Sequence, residues 1–312
     1  MLLAVVALGA IIALPAPASA SEILARNAKY VTIKVGDKNQ AVVNYKVSGV
    51  WKHTLVWGAM NARAPSTTVK QVHFKIDYSG GWGAFGRPIW KTMKNRCRRY
   101  DGPALPWLVT ACKAPDGSYW ALQKWQRMLP NYGIKPWTSG QKVWELHISH
   151  WRGEMPLLEV HKDWVYSQKF HHLFGKFTYL GTGVYGFSST SQGSPLDTYG
   201  RNLYVDTYNS AYGAGWKREN SFLMHRPEGN FCYGFYKHVR PARYPRGPER
   251  PMGNGEKYRW TIMGPGVLPV VGGGTTGLED YDPLNPDHVD YEDAMNDLGD
   301  AIRGTDDQCD QH

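Results

Sequence analysis

The sequence predicts an all-β protein, a jelly-roll-like β-sandwich with one short helix in an acidic C-terminal tail. Three observations carry that prediction. Short runs alternating apolar and polar side chains recur along the chain, and Gly and Pro clusters separate them at intervals of roughly ten to twenty residues. No alternation of strand and helix patterns of the βαβ kind is present.

The N-terminal segment stands outside that fold. Leu2 to Leu14 is uninterrupted apolar sequence, followed by Pro15-Ala16-Pro17 and by Ala18-Ser19-Ala20 before polar Ser21. An apolar run closed by an A-x-A site is the pattern of a secretory signal peptide, with cleavage expected after Ala20. It departs from the pattern in lacking a Lys or Arg ahead of the run. The run is short for a membrane span, and no later segment approaches that length. Residues 1–20 are therefore expected to be removed, and residues 21–270 to form one exported all-β domain.

Tyr30–Val35, Ala41–Val47 and Thr54–Met60 read as the first strands. Val72, Phe74, Ile76 and Tyr78 alternate with His73, Lys75 and Asp77, the cleanest two-residue period in the chain, and stop at Ser79-Gly80-Gly81. Pro88–Tyr100 has Ile89, Met93 and Cys97 at four-residue spacing and reads as a short helix ended by Asp101-Gly102-Pro103. Pro106–Cys112 and Ser118–Trp125 follow as strands around the turn Ala114-Pro115-Asp116-Gly117. Val143–Tyr166 reads as a β-hairpin, its runs Val143–His150 and Leu157–Trp164 joined near Arg152-Gly153-Glu154. Further strands are predicted at Leu173–Leu180, Gly183–Ser188, Asn202–Asn209, Phe231–His238 and Lys257–Met263.

Arg240–Gly255 is a Pro/Gly/Arg-rich stretch whose composition suits a basic surface loop. Residues 271–312 read as a Gly-rich linker followed by the acidic tail, Gly264-Pro265-Gly266 and Gly272-Gly273-Gly274 supplying flexibility. Tyr291, Met295, Leu298 and Ile302 form one helical stripe, with Asp290 as N-cap and Gly304 past the end. A one-striped helix needs a surface, so the tail is expected to dock on the β body.

Cys97, Cys112, Cys232 and Cys309 are an even set in an exported chain, and none forms a C-x-x-C zinc pair. Of the three pairings, Cys97–Cys112 with Cys232–Cys309 is favoured because the first closes a short loop and the second ties down the tail. From Glu279 onward twelve acidic residues stand against one Arg, a net of −11, while the remainder carries +20. A body this basic is drawn to anionic polymers, unless the acidic tail folds back and neutralises it.

The predicted hairpin register gathers Glu145, His147, Glu159 and His161 on one face. Paired carboxylates suit general acid and nucleophile roles in glycoside hydrolysis; two His and two Glu suit a metal; a half-buried sheet simply leaves such residues in solvent. The acidic stretch from Asp280 fails the calcium-loop pattern, with Leu284 at position five and Asn285 at position six. No motif calls for a cofactor or a metal, and the G-x-S-x-G nucleophile elbow, the P-loop and the dinucleotide fingerprint are missing from the sequence. Thirteen Trp and nineteen Tyr supply flat rings, and Trp82, Trp137, Trp151, Trp164, Trp216 and Tyr212 stand next to turns or charges. Such rings are candidates to stack sugars.

Two fragments carry a resemblance. Gln71-Val72-His73 resembles the Q-[IV]-H strand of alginate-lyase-type polysaccharide lyases, and Tyr179-Leu180-Gly181-Thr182-Gly183-Val184-Tyr185 is similar to their Y-x-K-x-G-x-Y strand. The resemblance implies His73 as base, Tyr185 as acid and Gln71 as the residue that neutralises the uronate carboxylate. It covers about a dozen residues; the family's R-x-E-x-R strand has no counterpart upstream of Gln71, and Gly181 replaces its Lys.

The function expected is non-catalytic recognition, outside the cell, of a polysaccharide or another anionic surface polymer rather than nucleic acid. Rings at Trp82, Trp151 and Trp164, with Gln71, His147 and His161, are the candidate ligand contacts. The alternatives are a polysaccharide lyase acting through His73 and Tyr185, a glycosidase acting through Glu145 and Glu159, and a structural envelope protein.

Overall fold

The computed structural model describes residues 21–64, 69, 71–126, 143–184, 186–189, 195–197, 203–222, 228–235, 254–305 and 309. The chain opens with β1 (Glu22–Arg26), β2 (Lys29–Val35), β3 (Gln40–Val47), β4 (Val50–Trp57) and β5 (Lys75–Asp77), then two single-turn helices, α1 (Trp82–Phe85) and α2 (Ile89–Thr92). Next come β6 (Arg98–Arg99), β7 (Leu108–Lys113), β8 (Tyr119–Gln126), β9 (Trp144–Trp151) and β10 (Leu157–Val165). The second half holds β11 (Phe170–Tyr179), β12 (Thr182–Gly183), β13 (Gly186–Ser189), β14 (Pro195–Asp197), β15 (Leu203–Ser210) and β16 (Gly213–Phe222). It ends with β17 (Asn230–Gly234), β18 (Lys257–Ile262), β19 (Val271–Thr276) and α3 (Pro286–Arg303).

The fold is all-β and sandwich-like, as its alternation predicts. Strands β2-β3-β4-β5 form an N-terminal antiparallel meander. Its β3–β4 turn needs only Ser48 and Gly49, both with positive φ, which matches the twist of the flanking strands. A central sheet runs β1-β9-β8-β7-β6. Beyond it lie a sheet of β10, β11, β12 and β17 and another ordered β16-β15-β18-β19.

Two cores fix these layers. Val35, Val43 and Val56 of the N-terminal sheet pack against Leu24, Trp120, Leu122, Leu146 and Ile148 of the central sheet. The opposite face of the central sheet offers Ala121 and Trp151 to Leu173, Phe177, Phe231, Leu203, Val205 and Tyr258. The central sheet is thus covered on both sides. Fully burying each of its large side chains contributes about 2–3 kcal/mol.

That double cover explains the main departure from expectation. The mid-chain hairpin does not form. β9 pairs with β8 and β1, while β10 pairs with β11 in another sheet. With a core against each face of its sheet, β9 belongs in the middle of a sheet rather than at the edge of a two-stranded ribbon. At the expected turn Arg152 instead spans layers: its N–H donates to Asn61 Oδ1 at 2.6 Å and its guanidinium to the Asp116 carbonyl.

The Gly-rich linker is also overturned. Met263–Val270 is buried throughout, and Gly272–Gly274 are the middle of strand β19. A Cβ on Gly272 would lie 2.4 Å from the Trp260 carbonyl, so these glycines permit close strand approach rather than flexibility. The Pro88–Tyr100 helix shrinks to α2, because Asn95 Oδ1 accepts from Val35 N and Arg96 N donates to Val35 O, drawing the segment out along β2. The strand expected over Val72–Tyr78 is only β5, and the tail helix starts at Pro286 with Asn285, not Asp290, as its cap. Pro at the first helical position and an Asn side chain accepting from Asp287 N account for the earlier start.

Both disulfides pair as expected, Cys97 with Cys112 and Cys232 with Cys309. Together with the second, three contacts seat α3 on β10 and β17. Tyr291 donates to Lys162 O at 2.7 Å, Trp164 N donates to Glu292 Oε2 at 3.2 Å, and Asn230 Nδ2 donates to Arg303 O at 3.0 Å. No helix among the described residues is long and apolar enough to cross a membrane.

Candidate functional site

The four carboxylates and imidazoles expected on one face occupy two layers. Glu145 and His147 are buried on the central sheet. His147 Nδ1 lies 3.0 Å from Ser21 Oγ, its Nε2 lies 3.4 Å from Glu145 Oε2, and its ring stacks on Trp125 at 3.8 Å. Serine, histidine and glutamate in sequence would suit a nucleophilic relay, but Ser21 is 0% and His147 1% exposed. Both are enclosed in the fold, and with Glu145 they form a buried hydrogen-bonded cluster. Glu159 and His161 sit on β10, 3.0 Å apart, with Lys176 at 4.0 Å, part-exposed on the face where α3 docks. The two glutamates of the expected glycosidase pairing, Glu145 and Glu159, therefore stand on different sheets.

The residues of the lyase resemblance have other occupations. Gln71 is buried and brackets Arg63, accepting from its N–H at 2.7 Å and donating to its carbonyl at 3.0 Å. His73 is exposed, with Glu22 at 3.8 Å. Burial pushes the Glu22 carboxyl up, against the pull of His73. Tyr185 lies outside the described residues, as do Trp137 and the basic stretch up to residue 253. Of the candidate rings, Trp151 is a core residue, and Trp164 donates its Nε1 to Glu279 O under the tail. Trp82 alone of the three is exposed, at 59%.

Trp82 belongs to a larger surface on the outside of the N-terminal sheet. The inner parity of β4 (Val56, Thr54) meets the core, so Trp51, His53, Leu55 and Trp57 share the outer face. Trp51 and Trp57 stand about 20 Å apart along the strand. Between them His53 stacks on Trp90 at 3.7 Å and 2°, with its Nδ1 2.7 Å from Asn44 Oδ1. Burial, and then Lys34, holds the His53 pKa below its ordinary value. Tyr30 packs beside Trp51 at 6.4 Å and Phe85 beside Trp57 at 5.3 Å. Tyr30, Trp51, Trp82 and Phe85 all remain exposed.

The α1 loop that delivers Trp82 and Phe85 is held by one carboxylate. Asp77 accepts from Ser79 N and Ser79 Oγ on one oxygen, and from Gly81 N at 3.1 Å and Ala84 N at 2.9 Å on the other. Burial alone would raise its pKa; the bonds from Ser79, Ala84 and Gly81 outweigh it and bring the pKa down. Gly80 and Gly81 take positive φ where a Cβ would strike Trp90 and Ile89.

Cations are interleaved with these rings. From Ser21 to Tyr100 fifteen Lys and Arg stand against three acidic residues, a net of +12. Lys46 is the cross-strand partner of Trp51 and Lys75 of Trp57, and Lys91 Nζ lies 5.3 Å from the Trp90 ring. The acidic helix α3 docks on β10 and β11, beyond the central sheet, and leaves this face uncovered. A charge count in windows would have found the face from sequence; a whole-body total of +20 does not.

Among the described residues no group of three His, Cys, Asp or Glu is placed to hold a metal ion. Comparisons with protein-family models, with characterised proteins and with solved structures return no match.

Proposed function

We propose that this is an exported, non-catalytic protein that recognises an anionic polysaccharide through the outer face of its N-terminal sheet. The observation that carries the reading is the run of rings from Trp51 to Trp57, with Trp90, Trp82 and Phe85 beside it, set among lysines and left clear by the acidic tail. Flat rings stack on sugar faces and the lysines supply the charge that attracts an acidic chain. Two disulfides suit an oxidising compartment, in keeping with the A-x-A segment ahead of Ser21.

A polysaccharide array scored for both retention and product release tests this reading. Retention of acidic glycans without cleavage, weakening as salt rises, is the expected outcome. Unsaturated oligosaccharide products would favour the lyase alternative, and retention insensitive to Trp51→Ala would place the binding elsewhere.

A further inference from the structure

We propose a second carbohydrate site, for a carboxylate-bearing sugar residue, on the face of the β16-β15-β18-β19 sheet turned away from the second core, centred on Arg259. It goes beyond the N-terminal face and shares no residue with it.

Register places two rows side by side on this sheet. One row is Trp216–Tyr208–Lys257 and the next is Arg218–Asp206–Arg259. Asp206 is 2% exposed and acts as the anchor: its Oδ1 accepts from Arg218 Nε and its Oδ2 from Arg259 Nε at 2.8 Å. Arg218 is buried with it, whereas the Arg259 side chain is 35% exposed. A guanidinium gripped through Nε is oriented before any ligand arrives, and its planar fork suits a carboxylate.

Rings flank that guanidinium. Its centre lies 4.4 Å from the Trp216 ring and 5.8 Å from the Trp107 ring. Trp216 is 38% exposed and rests on Tyr208 at 5.2 Å. Trp107 adopts φ 53°, a left-handed conformation that costs a bulky residue about 1–3 kcal/mol. It is held there as Lys124 N donates to its carbonyl and as its ring packs on Trp125 at 6.0 Å. The next strand offers no side chain at this row, because Arg259 pairs with Gly274. An oriented cation between two indoles, with an open floor beside it, is what a uronate ring requires: stacking for the pyranose and a fork for the carboxylate.

The probe is a short oligogalacturonate, titrated calorimetrically into the full chain. A Trp51→Ala chain, with the N-terminal face disabled, is expected to keep binding. Adding Arg259→Lys is expected to weaken that binding on the order of tenfold, since charge is kept but the fork is lost. Adding Trp216→Ala instead is expected to weaken it as much, with Asp206 and Arg259 untouched. Binding by Trp51→Ala that neither change alters overturns the second site. Loss of all binding in Trp51→Ala alone also overturns it while leaving the N-terminal face intact. A wild-type chain that ignores the probe overturns both sites for uronates.

Discussion

β9 and β10 carry the same pattern, a glutamate followed two residues later by a histidine with apolar side chains between, yet they end in different layers. In β9, Glu145 and His147 are sealed beneath Trp125 because a core covers each face of the central sheet. In β10, Glu159 and His161 are part-exposed because that face meets only a helix. An alternating strand states which side chains share a face. It does not state whether that face meets solvent, a helix or a second core.

The largest expected consequence concerns the tryptophans. Trp151→Ala, at a fully buried position facing the second core, is expected to cost about 3–5 kcal/mol in urea unfolding. Trp51→Ala, on the exposed face, is expected to stay within about 0.5 kcal/mol while reducing polymer retention. Equal costs would dissolve the distinction between core rings and platform rings.

The matched histidines come next. His147→Ala leaves Glu145 buried without its imidazole and is expected to cost about 3 kcal/mol. His161→Ala removes one half of a part-exposed pair and is expected to cost less than about 1 kcal/mol. A large cost at His161 would mean that the β10 face is as closed as the β9 face.

Acid and base are expected to separate the layers as well. His150, buried in the first core with its Nδ1 donating to Ala59 O at 2.6 Å, has a pKa pushed down to about 4, chiefly by burial. Unfolding lets it take up a proton near pH 6.5, so its contribution is complete above that pH and is lost as pH falls towards 4. Glu292, on the buried face of the docked helix beside Asp163, has a pKa pushed up to about 7, again chiefly by burial. Its undocked form ionises near the ordinary carboxylate value, so helix docking is firmest in acid and weakens as pH rises from about 4.5 to 7. Each limb is on the order of 2–3 kcal/mol. Thermal melts of His150→Gln should lose the acid limb. Hydrogen exchange of the tail in Glu292→Gln should lose the neutral one.

Much of the fold was legible because strands whose outer face meets solvent keep a clean alternation, as in Tyr30–Val35, and because an even cysteine set limits the pairings. The layering was not. The buried polar parity of β9 looks solvated in sequence, since Glu145 and His147 find their partners from Ser21 and Trp125, far along the chain. Gly272–Gly274 looks like a linker because the reason for it, the Trp260 carbonyl at 2.4 Å from a would-be Cβ, lies on another strand. Trp51 is hard to place from sequence because the alternation reads from Thr54, which leaves out the residue at the exposed end of the strand.

A modest effect on stability is expected where the N-terminal face is most finely set. Asp77→Asn keeps the shape of the side chain but replaces one accepting oxygen with a donor, which confronts the N–H groups of Gly81 and Ala84 or of Ser79. Loss of those bonds is expected to cost about 1 kcal/mol globally, since the loop they hold contributes no buried side chain from α1. The effect on polymer retention should be larger than on unfolding, because Trp82 and Phe85 are placed by that loop and not by the core. The same logic gives an acid dependence. The Asp77 pKa is depressed in the fold, so its hold on the loop is complete above the ordinary carboxylate range and fades as pH falls below it. Retention that survives Asp77→Asn unchanged, while stability falls as expected, would show that Trp82 and Phe85 lie outside the binding face and that the strip from Trp51 to Trp57 is sufficient.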